Sequence, residues 1–264
     1  MQKQKKEKTV LIFASALAGA YLFLCLAPPR SFSVFAEEHP REKLCAYTTD
    51  FNEKEGGRCE NIRLAARRLD GIALQPYGEF SFNGAVGPRT KENGYQEAKV
   101  ISGGEFVVGV GGGVCQVSTT LYNAALLSGL TVLEYHPHSL RVGYVPPSRD
   151  AMVSAYSDLR LYNPHSETVY ISAEVGKDWL RFTLYGKGDG RTYSIESRTL
   201  QEIPPPDLIV EEGEEVIRFG VAGVKSESYL YTYEKGVLTS VRRLRSDEYA
   251  PQRGVIRKKT EKAG

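Results

Sequence analysis

Three consecutive glycines, Gly111, Gly112 and Gly113, run straight into Val114-Cys115-Gln116-Val117-Ser118-Thr119-Thr120-Leu121-Tyr122-Asn123, and no other stretch constrains the fold as much. Glycine loses the most backbone freedom in a helix, so the run reads as a loop. Small and apolar side chains then recur at Val117, Leu121, Ala124 and Ser128, close to the helical period. The spacing predicts a helix of about three to four turns with Cys115 in its first turn and Gly129 as its left-handed stop. A thiol there sits at the positive end of the helix dipole, which favours the thiolate, and the free first-turn amides near Cys115 and Gln116 can hold an oxyanion. The competing reading is a packed cysteine on a helix that the glycines bring close to a sheet.

The compartment follows from the N-terminus. Lys3, Lys5, Lys6 and Lys8 precede an uncharged apolar run from Val10 to Ala27, the pattern of an export signal or membrane anchor. Val34-Phe35-Ala36 offers a small-residue cleavage site, so residues 1–36 are read as a signal or anchor and the rest as extracytoplasmic. The formal charge of +2 suggests no nucleic-acid partner. Outside the cytoplasm, Cys45 and Cys59 flank a polar loop, and a disulfide between them would add about 3 kcal/mol in the chain-entropy model. Cys115 is then the odd thiol. A Cys115 bridge to either of the others, or three free thiols, are the alternatives.

Along the chain, Cys45–Thr49 has strand composition, and Cys59–Asp70 is an amphipathic helix whose Arg63, Arg67 and Arg68 form a solvated face. Strands are predicted over Glu79–Asn83, Gln96–Ile101, Glu105–Val108 and Leu130–Tyr135, with Gly103-Gly104 as a hairpin turn. A β-meander follows over Met152–Tyr162, Thr168–Val175, Trp179–Tyr185 and Thr192–Ile195; Trp179 is read as packing this sheet and His165 as surface. Pro204-Pro205-Pro206 reads as a stiff linker. The expected fold is therefore α+β: a mixed or antiparallel sheet packed on a central helix in a domain spanning residues 43–200, then a small all-β domain over residues 207–260.

His136 and His138 stand two apart on an extended segment, so both can face the Cys115 terminus, with Asp150 following a rigid Pro146-Pro147 turn. Cysteine, histidine and aspartate in that order suit nucleophile, base and orienter. Two histidines and Asp150 also suggest a metal ion, but no fourth ligand stands at a recognisable spacing, and no metal or cofactor is assigned.

Taken together, Phe80-Ser81-Phe82-Asn83, Val86-Gly87-Pro88-Arg89-Thr90, Gly94-Tyr95, Gly111 through Asn123 and His136-Pro137-His138-Ser139 resemble the VanW family. The resemblance runs from about Cys45 to Val175. It implies a bacterial cell-envelope setting, without implying a reaction. The tail from Gly213 to Arg257 is similar to a G5-type β-module, which implies contact with wall polymers.

Two functions are carried forward. The first is a wall-binding module: Gly111, Gly112, Gly113 and Gln116 form a groove, Ser118 and Thr119 bond backbone or ligand, and Arg89 and Arg149 meet carboxylates of peptidoglycan stem peptides. The second is a cysteine hydrolase or transpeptidase acting on those peptides, with Cys115 as nucleophile, His138 or His136 as base and Asp150 as orienter. In both, the partner is peptidoglycan or another wall polymer, with the membrane reached through the N-terminal segment.

Overall fold

The computed structural model describes residues 42–212 and 216–258. The expected signal or anchor segment, with Cys25, lies outside the described residues; among them no helix is long and apolar enough to cross a membrane. The elements run β1 (Glu42–Asp50), α1 (Gly56–Leu69), β2 (Ala73–Leu74), β3 (Glu79–Ser81), α2 (Phe82–Val86), β4 (Glu97–Ser102), β5 (Glu105–Val110), α3 (Val114–Leu127), β6 (Thr131–Glu134) and β7 (Arg160–Tyr162). They continue through β8 (Val169–Val175), β9 (Trp179–Gly186), β10 (Arg191–Ile203), β11 (Ile209–Glu212), β12 (Val216–Arg218), β13 (Gly223–Glu234), β14 (Val237–Tyr249) and β15 (Val255–Lys258). This is an α+β fold with mostly antiparallel pairing.

The helix at the centre is α3. Nearly every residue of it is buried, and it packs against β1 and β9 on one side and α1 on another. An all-round buried helix must satisfy its own polar side chains, and it does. Thr120 bonds Thr49 Oγ1 at 2.8 Å, Gln116 donates to Thr49 Oγ1 and the Asp50 carbonyl, both at 2.9 Å, and Asn123 donates to the Arg149 carbonyl at 2.8 Å. Beside it lies the antiparallel sheet β1-β9-β8-β2, whose Leu180, Phe182, Leu184 and Ile171 join the core with Val117 and Leu121.

The glycine run is held for steric reasons. Gly113 and Gly111 have φ of +105° and +88°, which side chains with a Cβ rarely adopt. A Cβ on Gly112 would lie 2.5 Å from the Lys99 carbonyl oxygen of β4. Asn61 of α1 seals the junction: its amide donates to the Gln96 and Gly112 carbonyls at 2.9 Å each and accepts from Gln96 N–H at 2.7 Å.

Several expectations are corrected. Met152–Tyr162 is a strand only from Arg160, because a turn closed by Ser154 N–H to the Ser157 carbonyl (2.9 Å) interrupts it. Strand β3 stops at Ser81, whose hydroxyl caps α2 by accepting from Gly84 N–H. Arg68 does not simply face solvent: it donates to the Val86 carbonyl and lies over the Tyr95 ring, 5.3 Å from its centroid. His165 is buried and bonds the Ser128 carbonyl at 3.0 Å instead of standing on the surface. Trp179 is half-buried, with Arg181 over its ring at 4.9 Å. Cys45 and Cys59 are free. The Cys45 thiol turns to the Ala124 carbonyl of α3 at 3.0 Å, while the Cys59 thiol donates to the Asn52 carbonyl at 3.3 Å, so the two face different elements.

The triple proline does not separate the described chain into two parts. Strand β10 precedes it and β13 follows it, yet they pair along their lengths from Arg191↔Glu234 to Ile203↔Gly223. The described residues all fall in one compact unit.

Candidate functional site

Strand β5 delivers the chain through the glycine loop to α3, and Cys115 occupies the second position of that helix. The Val114 and Gln116 N–H groups donate back to the Gly111 and Gly113 carbonyls at 3.1 and 3.0 Å. The Gln116 amide expected in an oxyanion site is thereby taken.

The polar face of α3 clamps the segment that carries the acid. Ser118 Oγ donates to the Ala151 carbonyl at 2.5 Å, and Thr119 Oγ1 accepts from Ala151 N–H at 2.9 Å. Arg149 Nε donates to Asn123 Oδ1 at 2.8 Å, and its guanidinium lies over Tyr47. Ser118 and Thr119 therefore hold backbone, one of the two roles expected of them, and Arg149 holds neighbouring side chains. Their physical role is to fix Asp150 between them.

Asp150 is the hub. Its Oδ2 accepts from His138 Nδ1 at 2.6 Å and from His138 N–H at 2.7 Å. Its Oδ1 accepts from Arg245 Nη2 at 2.9 Å and from the Tyr249 hydroxyl at 2.5 Å, and Arg245 Nη1 reaches the Asp150 carbonyl at 2.5 Å. A carboxylate 1% exposed is tolerable only with such pairing. Although burial opposes ionisation, the His138 hydrogen bond and the Arg245 charge hold Asp150 down at about 2.

With Nδ1 committed to Asp150, His138 has its other ring nitrogen free to interact with the Cys115 sulfur, and the Cys115 thiol donates to the Val153 carbonyl at 3.4 Å. Burial works against a charged imidazole, yet the Asp150 and Cys115 hydrogen bonds raise His138 to about 9. Cys115 moves the other way: burial raises it, but the His138 hydrogen bond and charge, with the Arg89 charge, bring it below the ordinary thiol value. Both shifts act in the direction of proton transfer from sulfur to nitrogen.

His136 does not join. Its Nε2 pairs with Glu134 at 2.9 Å, and its side chain is 38% exposed. The alternation of a strand is lost here because this stretch lies beyond β6 and is not a strand. The His136, His138 and Asp150 metal arrangement is not assembled, and among the described residues no group of three such side chains is placed to hold a metal ion.

Cys115 is half-buried, on the wall of a cavity of about 930 Å3. Gly111, Gly112, Gly113, Gln116 and Arg89 also line it, as do two residues that sequence reasoning passed over, Arg58 and Tyr144. Arg58 Nη2 donates to Gln116 Oε1 at 2.6 Å, fixing the side chain after the nucleophile. Burial, with the nearby Cys115 charge, pushes Tyr144 well above an ordinary phenol, so it keeps its hydroxyl proton on the cavity wall. Arg245 and Tyr249 were also missed; the proline run assigned them to a separate domain, and nothing local marks either as a partner of Asp150.

The fold and the cluster define a cysteine–histidine–aspartate site on an α+β domain. Residues 57–185 match the family described as VanW like protein. The chain is 41% identical over 173 residues to the uncharacterized protein YoaR of Bacillus subtilis (strain 168), covering 65% of this chain and 55% of the relative. It is 30% identical over 109 residues to the Vancomycin B-type resistance protein VanW of Enterococcus faecalis (strain ATCC 700802 / V583), covering 39% of this chain and 40% of that protein. This chain therefore spans about half or less of the length of these curated relatives. Residues 57–185 are thus similar to the VanW family, in line with the resemblance carried by the motifs from Phe80 to Ser139. No solved structure matches the chain.

Proposed function

We propose that this protein is a cysteine-dependent acyl-transfer enzyme of the bacterial cell envelope, acting on peptide amides of the wall. The observation that carries the reading is the continuous chain Cys115–His138–Asp150–Arg245 on the wall of an open cavity. The Cys115 thiolate attacks the amide carbonyl carbon, and the oxyanion faces the Cys115 N–H and the Tyr144 hydroxyl. The C–N bond breaks as imidazolium His138 gives its proton to the leaving nitrogen, and a thioester remains on Cys115. Neutral His138 then takes a proton from water or an amine as that group attacks the thioester. The C–S bond breaks, and the thiolate–imidazolium pair is restored. Asp150 stays ionised throughout and keeps the ring oriented.

The envelope setting rests on the lysine-flanked apolar N-terminal run, read as a signal or anchor, and on similarity to a relative named for vancomycin resistance. The alternative, a groove that only binds, has less support, because Ser118, Thr119 and Arg149 are engaged within the chain. The test is the pH dependence of Cys115 alkylation in the native protein, with the modified thiol located by mass spectrometry. Fast labelling with an apparent pKa below about 8.5 is expected. Labelling only after denaturation would sink the reading.

A further inference from the structure

Two buried polar atoms of residues lining the Cys115 cavity have no hydrogen-bond partner: Arg89 Nη2 and Asn83 Oδ1. Buried polar groups in proteins are almost always paired, so such orphans ask what else they bond. The Asn83 amide is oriented without ambiguity, since its Nδ2 donates to the Ser154 and Ser157 carbonyls at 3.0 Å each and its oxygen is left over. Arg89 packs closely on the glycine loop: Gly111 has a φ of +88°, and a Cβ built on it would lie 3.1 Å from Arg89 Cβ. The remaining cavity cations are differently used or more exposed. Arg58 is paired with Gln116 and with Glu55 at 3.5 Å, Lys99 stands over the Phe106 ring, and Arg141 is exposed.

A guanidinium donor and an amide acceptor left over in one cavity match one end of a peptide. Its carboxylate oxygens take the donor, and its last amide N–H gives to the acceptor. We propose, resting on the acyl-transfer reading above, that the substrates are peptides whose cleaved amide stands next to a free carboxylate. Arg89 holds that carboxylate and Asn83 Oδ1 accepts the neighbouring N–H. The site is then selective for peptide C-termini over internal amides. Neutralising or lengthening that end leaves Arg89 buried without a partner, and the penalty falls on binding.

The experiment needs no substrate. The rates of Cys115 alkylation by iodoacetate and iodoacetamide are compared in the full-length protein, with glutathione as the small-thiol reference. The iodoacetate-to-iodoacetamide ratio is expected at least tenfold above that of glutathione, with saturation in iodoacetate. N-acetylalanine is expected to protect Cys115, and N-acetylalanine amide to leave it reactive. In Arg89→Gln the ratio returns to that of glutathione, and Arg89→Lys, which keeps charge but loses the planar fork, retains only part of it. The iodoacetamide rate serves as the internal measure of the thiolate. Fast iodoacetamide labelling with a glutathione-like ratio and no protection overturns this proposal and leaves the nucleophile reading standing. A ratio as high in Arg89→Lys as in the unaltered protein also overturns it, since long-range charge alone then explains the preference. Slow labelling by both reagents until denaturation removes the nucleophile itself, and the proposal with it. The protection measurement on the unaltered protein decides the question even if neither variant folds.

Discussion

Cys45 and Cys115 both touch α3, and they end in opposite chemical states. Cys45 lies on β1 and meets the last turn of the helix, where its thiol finds the Ala124 carbonyl and apolar neighbours. Burial pushes it up to about 12. Cys115 lies in the first turn, where burial acts in the same direction but His138 and Arg89 outweigh it. The helix is common to both, so the difference lies in the surroundings. A carbonyl can only accept from a thiol and stabilises the neutral form, whereas an imidazolium held by a buried carboxylate stabilises the thiolate. Reactivity here depends on Asp150 and Arg245 at one remove from the sulfur.

The largest effect is expected from removing the far end of that relay. Arg245→Leu leaves the Asp150 carboxylate buried and short of a counter-charge, which should cost about 3–5 kcal/mol in urea unfolding. Combining it with Asp150→Asn should recover part of the loss, because the two sites share one network. Strict additivity of the two changes would break the relay account.

Next in size is the nucleophile itself. His138→Ala should slow Cys115 alkylation at pH 7 about 30-fold or more, since an unassisted thiol is only a few per cent thiolate there. Cys45 should stay unreactive in both proteins. If His138→Ala alkylates at the normal rate, the helix terminus alone accounts for the Cys115 thiolate.

A smaller effect is the pH dependence of stability. Asp150 has a folded value of about 2, below its ordinary value near 3.9, so its contribution is complete above about pH 4 and is lost as pH falls through 2. His138 is raised to about 9 from near 6.5, so its contribution is complete below about pH 6.5 and is lost as pH rises through 9. The lowered Cys115 acts in the opposite sense on that alkaline side, so the acid limb should be the steeper in urea titrations. The Asp150→Asn variant should lack the acid limb.

The smallest is the structural cysteine. Cys45→Ala should cost about 1–2 kcal/mol through lost packing and leave Cys115 alkylation unchanged. A change in the Cys115 rate would show that the two thiols are coupled through α3, against the comparison drawn here.

Local patterns carried much of this protein. Glycine chemistry and helical spacing placed Cys115 in the first turn of α3 and ended the helix at Gly129, because both depend on backbone preferences within one stretch. The β4–β5 hairpin at Gly103-Gly104 and the α+β class follow from similar short-range signals. The order Cys115, His138, Asp150 was readable as a candidate set, but its convergence was not. Which histidine turns inward depends on Asp150, and Asp150 is held by Ser118, Thr119 and Asn123 of the helix before it and by Arg245 and Tyr249 of the strand far behind it.

Misread features share one cause. The triple proline stiffens the chain locally, but β10 and β13 pair across it because extended hydrogen bonding and burial outweigh a local break. The cysteine spacing permitted a disulfide, yet the β1 pairing turns Cys45 toward Ala124 and away from Cys59. Local sequence sets where the helix of Cys115 begins and which residue types stand ready to assist it. Only the tertiary structure decided which of them do, because a buried charge takes its partners from whatever elements the core brings within hydrogen-bond reach, and that reach is independent of distance along the chain.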